Sequence, residues 1–332
     1  MGDPMKLRIV DETNSCIFRY LDTHTVLKSD ETLREMLLYA LGFDRNGNLL
    51  TGGKRLRPLF CCLSCGIVTG YHEPALLYGA ALEMLHNYTL VHDDIEDNSD
   101  TRHNRPALWK RYGTSLALNA GDLLFEVALA AAAEADDNSG KNGLRRLMSM
   151  SEFLFLGQHR DISFENRCNI TEAEYLRMVR GKTSALFGCS FALGALAGGA
   201  DENTIAEFEY AGQRLGIAFQ IWDDYLGTWG NVDDLGKPVS ADICDKKNTM
   251  AVVYTAGKNP DFMEKWQEYD GSVERVPEFA AMMEDAGAPE HLKEQCKRYT
   301  KEAVETLNNH RTASVYQSML DDVIESLSER KK

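Results

Sequence analysis

The chain has 332 residues, a formal net charge of −15, 44% hydrophobic residues and 26% charged residues. This is the composition of an ordinary globular protein with ample material for a core, which excludes extensive disorder. The acidic balance argues against nucleic acid as a partner, because a phosphate backbone is bound through a basic surface that this chain lacks overall.

Met1 to Val10 carries charges where a signal peptide would be apolar, and the eight cysteines are scattered through the chain. Both features predict a reducing, cytoplasmic compartment. Helical periodicity runs almost throughout, and no alternating run of the kind a half-buried strand needs is present. The predicted helices are Asp30 to Leu41, Arg57 to Thr69, Glu73 to Glu96, Thr114 to Ala135, Gly143 to Phe164, Thr171 to Leu196, Glu202 to Leu226, and several between Thr249 and Ser328. Pro74 is placed for a first helical turn, and Thr171-Glu-Ala-Glu174 has the pattern of a capping box. Cys61-Cys62-x-x-Cys65 resembles half of a zinc site, but no second pair follows at finger-like spacing, so these read as buried thiols. Thr183 to Ala200 is uncharged and raises a membrane question. Its glycines and serines read instead as a buried helix with close neighbours, and no transmembrane segment is expected. The expected fold is all-α, one helical domain over residues 1–332, with Gly227 to Asp245 as a loop over a site.

Leu76 to Val91 and Ala211 to Trp222 are apolar nearly all the way round, which marks central helices, and each ends in aspartates. In the first cluster Asp93 and Asp97 are one helical turn apart and share a face. The second is Asp223-Asp224. Carboxylates this close repel, and a hard divalent cation with oxygen ligands compensates them; Mg2+ is usually held by one or two protein carboxylates while substrate phosphates complete the shell. Cations recur beside both clusters: Lys54, Arg55 and Arg57 before a helix, Arg102, His103 and Arg105 after the first aspartates, Lys182 at the start of the uncharged stretch, and Lys237, Lys246 and Lys247 after the second aspartates. This mixture of carboxylates and cations suits a metal-bridged diphosphate.

Taken together, these motifs resemble the trans-type isoprenyl diphosphate synthases, or polyprenyl synthetases. The resemblance runs from Gly52 to Val253 through Gly52-Gly53-Lys54-Arg55-Leu56-Arg57-Pro58, His86, Asp93-Asp94-x-x-Asp97, Arg102, Gly157-Gln158-x-x-Asp161, Lys182-Thr183, Phe219-Gln220-x-x-Asp223-Asp224, Gly236-Lys237-Pro238 and Lys247-x-Thr249, in family order. It implies the all-α isoprenoid synthase fold around a deep cavity, usually as a homodimer. It also implies head-to-tail condensation of isopentenyl diphosphate with an allylic diphosphate. Asp93, Asp97 and Asp223 are the implied ligands of three Mg2+, supported by Asp94, Asp224, Gln158 and Asp161. Arg102, Lys182 and Lys237 would stabilise the departing diphosphate, and Lys54, Arg57, His86, Arg102, His103, Thr183, Gln220 and Lys247 are the implied substrate contacts.

Two positions depart from the family pattern. Gly227 stands where a third aspartate is usual, with Asp233 or Asp234 as candidate substitutes. His103 stands where a second arginine is usual, which predicts weaker isopentenyl diphosphate binding with activity retained. Leu85, Tyr88 and Thr89, a turn or two before Asp93, would form the floor that a growing prenyl chain meets, and the single aromatic at Tyr88 resembles the geranylgeranyl-forming type. A farnesyl or slightly longer product is the neighbouring expectation. A terpene synthase that ionises a prenyl diphosphate without elongation, and a noncatalytic partner subunit, are the rival readings.

Overall fold

A computed structural model describes residues 4–51, 53–165, 167, 169–230 and 241–328. Lys237 with Gly236 and Pro238, the loop acids Asp233 and Asp234, Gly52, and the terminal Arg330-Lys331-Lys332 lie outside the described residues. The chain divides into two compact units, residues 1–149 with 189–209 and 310–320, and residues 150–188 with 210–309 and 321–332.

The first unit is built on α1 (Pro4–Thr23), α2 (Thr25–Ser29), α3 (Glu31–Ala40), α4 (Leu56–Thr69) and α5 (Leu76–Glu96). A hairpin of β1 (Thr101–Arg102) and β2 (Arg105–Pro106), then α6 (Leu108–Tyr112) and α7 (Thr114–Ser139), complete its first part. α5 packs against α7, α4 and α1, and Tyr78, Ala80, Ala81, Leu82, Met84 and Leu85 on α5 are fully buried. This all-round burial is what its uniformly apolar sequence implies. α1 was not foreseen, because its buried stripe of Ile9, Thr13, Asn14, Ile17 and Leu21 contains two polar residues that blur the periodicity. The hairpin was also missed, since strands of two residues are too short to show alternation.

The other helices needed below are α8 (Gly143–Phe164), α9 (Glu172–Val179), α10 (Ala185–Ala197) and α11 (Glu202–Trp229), followed by Ala241–Cys244, Met250–Lys258, Pro260–Glu268, Val276–Asp285, Ala288–Leu307 and Val315–Ser328. The Thr171 capping box forms: the Thr171 hydroxyl accepts from the Glu174 amide and the Glu174 carboxylate accepts from the Thr171 amide. The helix expected from Thr171 to Leu196 is interrupted by a π turn at Arg180–Ser184. The second unit has its own core, in which Phe262, Trp266, Tyr269 and Phe279 stack edge and face with ring centroids 4.5–5.8 Å apart.

Within Thr183 to Ala200 the described helix is α10, only 13 residues long, and a Cβ on Gly194 would lie 2.1 Å from the Cys61 carbonyl oxygen. Close approach to α4 thus accounts for its small residues. The one described helix that is long and apolar enough to cross a membrane is instead α7, of whose most apolar window 44% is buried. Counting only uninterrupted uncharged stretches overlooked it, because Asp122 and Glu126 punctuate its sequence. Cys61, Cys62 and Cys65 are buried free thiols, and no cluster of three His, Cys, Asp or Glu that could hold a metal occurs among the described residues.

Candidate active site

In the first unit α5 ends in its aspartates without any basic residue in the last turn. The Asp97 amide donates to the Asp93 carbonyl at 2.8 Å, so the two residues are one turn apart at the negative end of the helix dipole. Asp93 is half-buried and Asp97 exposed. Asp94 turns the other way. It is 3% exposed and accepts from Arg102 Nη2 at 2.5 Å and Nε at 3.0 Å. Burial pushes the Asp94 carboxyl above its ordinary value, and Arg102 opposes this. Asp94 therefore fixes the position of Arg102.

The hairpin carries Arg102 and His103. Thr101 pairs with Pro106 and Arg102 with Arg105, leaving a two-residue turn in which His103 and Asn104 have φ of 51° and 59°. Two left-handed residues make the tight turn whose twist suits a hairpin, and His and Asn tolerate that region better than most. Arg105 pins the hairpin to its surroundings: it donates to the Thr51 hydroxyl at 2.9 Å and lies 3.9 Å over the Tyr39 ring.

Of the three cations before α4, Arg55 points inward. It adopts φ 49°, is 3% exposed, and donates to Glu83 at 2.5 Å, to the Leu41 carbonyl at 2.7 Å and to Asn14 at 3.1 Å. Breaking such a buried ion pair from one side costs about 3–5 kcal/mol, so Arg55 is an internal anchor for the loop. Lys54 is exposed and Arg57 half-buried. Burial pulls the Arg57 guanidinium down to about 10, with Glu83 opposing. The His86 imidazole is held well below its ordinary value of 6.5, first by burial and then by the charges of Arg57, Arg102, Arg55 and His103. The structure thus gathers Arg57, His86, Arg102 and His103 into one cationic neighbourhood suited to a polyanion.

Tyr88 packs its ring 4.6 Å from His92 and 5.1 Å from Phe125 of α7. His92 Nδ1 lies 3.2 Å from the Tyr88 carbonyl and Nε2 lies 3.3 Å from Asp122, so it is held structurally rather than as a metal ligand. Leu85 is fully buried one turn deeper, and the Thr89 hydroxyl donates to the His86 carbonyl at 2.7 Å.

In the second unit a glycine pair brings α8 against the π turn. A Cβ on Gly157 would lie 2.0 Å from the Lys182 amide nitrogen, and one on Gly181 2.5 Å from the Phe153 carbonyl oxygen. This approach lets Lys182 Nζ reach Asp161 Oδ2 at 2.5 Å. The π turn, a feature that often marks functional sites, sets the direction of Lys182 and Thr183. Thr183 donates to Gln220 Oε1 at 2.7 Å, and Gln220 Nε2 donates to Asp224 at 3.0 Å. Asp224 also accepts from the Tyr175 hydroxyl at 2.6 Å and from the Met250 amide at 2.7 Å. Thr183, Gln220 and Asp224 form a positioning relay, while Asp223 next to it is only half-buried. Gln158 is half-buried one turn before Asp161, and Lys247 is exposed. Trp222, Tyr225 and Trp229 stack along α11, with ring centroids 4.8 and 5.3 Å apart.

Residue-level reading of the sequence overlooked Tyr175 and Phe125, which look like ordinary apolar positions of amphipathic helices. Asp93 and Asp97 in the first unit and Asp223 in the second each offer carboxylate oxygens, the donor type that a hard divalent cation prefers.

The model of the polyprenyl synthetase family matches residues 45–283, well over half of the chain. The chain is 42% identical over 208 residues to a geranylgeranyl diphosphate synthase of Saccharolobus solfataricus, covering 61% of this chain and 63% of that protein. It is 38% identical over 227 residues to one of Mycobacterium tuberculosis, covering 67% and 65%. The matched stretches thus span less than two thirds of those relatives' own lengths. The crystal structure of a geranylgeranyl pyrophosphate synthetase from Pyrococcus horikoshii Ot3 superposes with a TM-score of 0.86 at 30% identity, covering 98% of both chains. In sequence and in fold, this chain belongs to the polyprenyl synthetase family.

Proposed function

We propose that this chain is a prenyltransferase that condenses isopentenyl diphosphate head-to-tail with an allylic diphosphate, giving geranylgeranyl diphosphate and free diphosphate. The observation that carries this reading is the cationic neighbourhood of Arg57, His86, Arg102 and His103. Condensing two diphosphates needs an anion site besides the aspartates, and cyclising one does not. In this reading Lys54, Arg57, His86 and His103 hold the isopentenyl diphosphate. Burial and neighbouring cations keep both histidines below their ordinary values, ready to be charged by an arriving polyanion.

Asp93, Asp97 and Asp223 would hold Mg2+, in three ions, whose chemistry when bound is to neutralise the allylic diphosphate and favour ionisation of its carbon to oxygen bond. Lys182, steered by Asp161, and Lys237 stabilise charge on the departing group, and Lys247 adds to the same field. The double bond of isopentenyl diphosphate supplies the electrons for the new carbon to carbon bond, and the released diphosphate takes the proton lost. The protein's share is orientation and electrostatics. Leu85, Tyr88 and Thr89 form the floor of the hydrocarbon pocket, with His92 and Phe125 bracing the Tyr88 ring.

The chain works in the cytoplasm as a single functional domain and as a homodimer. Its free buried thiols and the exposed Leu116 and Leu118 on α7 support this reading.

Incubation with farnesyl diphosphate and Mg2+ tests the reaction class. Diphosphate is expected to appear only when isopentenyl diphosphate is added; release without it would point to a terpene synthase. Tyr88→Ala is expected to shift products toward longer chains, checked by chromatography of the dephosphorylated alcohols, and an unchanged distribution would remove Tyr88 from the floor.

A further inference from the structure

Within the first unit, the hairpin and the loop before α4 share one mount, the end of α3. Tyr39 lies in the last turn of that helix, and its hydroxyl donates to the Pro106 carbonyl of β2 at 2.7 Å. Just past the helix, the Gly42 carbonyl accepts from the Leu50 amide at 2.9 Å and from the Thr51 amide at 3.3 Å. Gly42 has φ 88°, and a Cβ there would lie 1.8 Å from the Thr51 carbonyl oxygen, so glycine is what lets the two backbones meet. Arg105 joins the two halves of this mount. Its guanidinium lies 3.9 Å over the Tyr39 ring and donates to the Thr51 hydroxyl at 2.9 Å, in the segment that leads into Lys54.

We infer that Arg105 and Tyr39 are positioning residues for isopentenyl diphosphate: they couple the hairpin of Arg102 and His103 to the loop of Lys54, so that two cationic loops keep one spacing. Arg105 is the cross-strand partner of Arg102, so a shift of β2 is passed directly to Arg102, whose other hold is Asp94 on α5. The strap is braced from α6 as well, where the Arg111 guanidinium lies 4.5 Å over the same Tyr39 ring and Tyr112 meets that ring edge-on. A diphosphate that bridges two loops is held best where they already stand at the right separation, because ordering them on binding is subtracted from affinity. A planar guanidinium, which can stack on a ring and donate in its own plane at once, is the side chain suited to this place.

The inference rests on the proposed activity, and its test separates the two. The full-length protein, Tyr39→Phe, Thr51→Val, Arg105→Met and the double variant Thr51→Val/Arg105→Met are assayed for kcat and for the KM of each substrate. Binding of isopentenyl diphosphate alone is followed by calorimetry, and melting temperatures are recorded. Tyr39→Phe and Thr51→Val, which alter no charge, are each expected to raise the KM for isopentenyl diphosphate about threefold and Arg105→Met about tenfold, with kcat and the allylic KM within about twofold. The calorimetric Kd is expected to rise in parallel. The double variant is expected to match Arg105→Met, because the two side chains act through one bond. Unchanged KM in both Tyr39→Phe and Thr51→Val overturns the inference. So does a double variant weaker than Arg105→Met by the full effect of Thr51→Val, or a fall in kcat and melting temperature with KM unchanged, which is the mark of a merely structural role. Unmodified protein that binds isopentenyl diphosphate but does not condense it overturns the proposed activity and leaves the comparison of Kd values readable.

Discussion

Asp93→Asn, alone or with Asp97→Asn, is expected to lower condensation by about a thousandfold or more while the melting temperature stays within a few degrees. Neither side chain is buried in the core: Asp93 is half-buried, Asp97 is exposed, and both sit in or beside the last turn of α5. Acids at the negative end of a helix dipole cost roughly 0.3–1 kcal/mol, so removing them does not weaken the free protein. Their effect is on charge developing during reaction, where a metal clamp contributes several kcal/mol and each 1.36 kcal/mol is tenfold in rate. Asp94→Asn is a different case, since Asp94 holds Arg102 through two hydrogen bonds. Steady-state rates with saturating Mg2+, alongside thermal melts, check the prediction; an Asp93→Asn enzyme within tenfold of the original would contradict it.

Asp224→Ala has its largest effect on stability, with an expected loss of about 3 kcal/mol or more. Three donors converge on this buried carboxyl, from Tyr175, Gln220 and the Met250 amide, and removing it leaves them unsatisfied at about 1–3 kcal/mol each before relaxation. Burial outweighs the three donors and pushes the Asp224 carboxyl from 3.8 up to about 7. The folded protein therefore holds this proton more tightly than the unfolded chain. The stability it lends is full below the unfolded value and is lost as pH rises through about 7. Urea unfolding in EDTA is expected to show the original protein losing more stability than Asp224→Asn between pH 5 and pH 8. Parallel pH curves, or an Asp224→Ala variant as stable as the original, would remove Asp224 from this role.

The aspartate clusters were legible because each follows an apolar helical stretch that announces itself by contrast, although only the first lies at a helix end, since α11 continues past Asp223-Asp224 to Trp229. The surroundings of those clusters were not. Tyr175 and the Met250 amide reach Asp224 from 49 and 26 residues away, and nothing local in the sequence signals that convergence. Arg55 looked equivalent to Lys54 and Arg57 as one of three cations in a loop, and only its left-handed backbone and the distant partners Glu83 and Asn14 make it internal. The hairpin under Arg102 escaped because His103 and Asn104 occupy turn positions where glycine would have been the cue.

The most direct measurement of the proposed activity is the length of the product made by purified protein from labelled isopentenyl diphosphate and dimethylallyl diphosphate with Mg2+. The predicted result is a prenyl diphosphate of twenty carbons, formed by three successive additions and abolished by EDTA. Recovery of unextended dimethylallyl diphosphate, or of a hydrocarbon in place of a longer diphosphate, would contradict it.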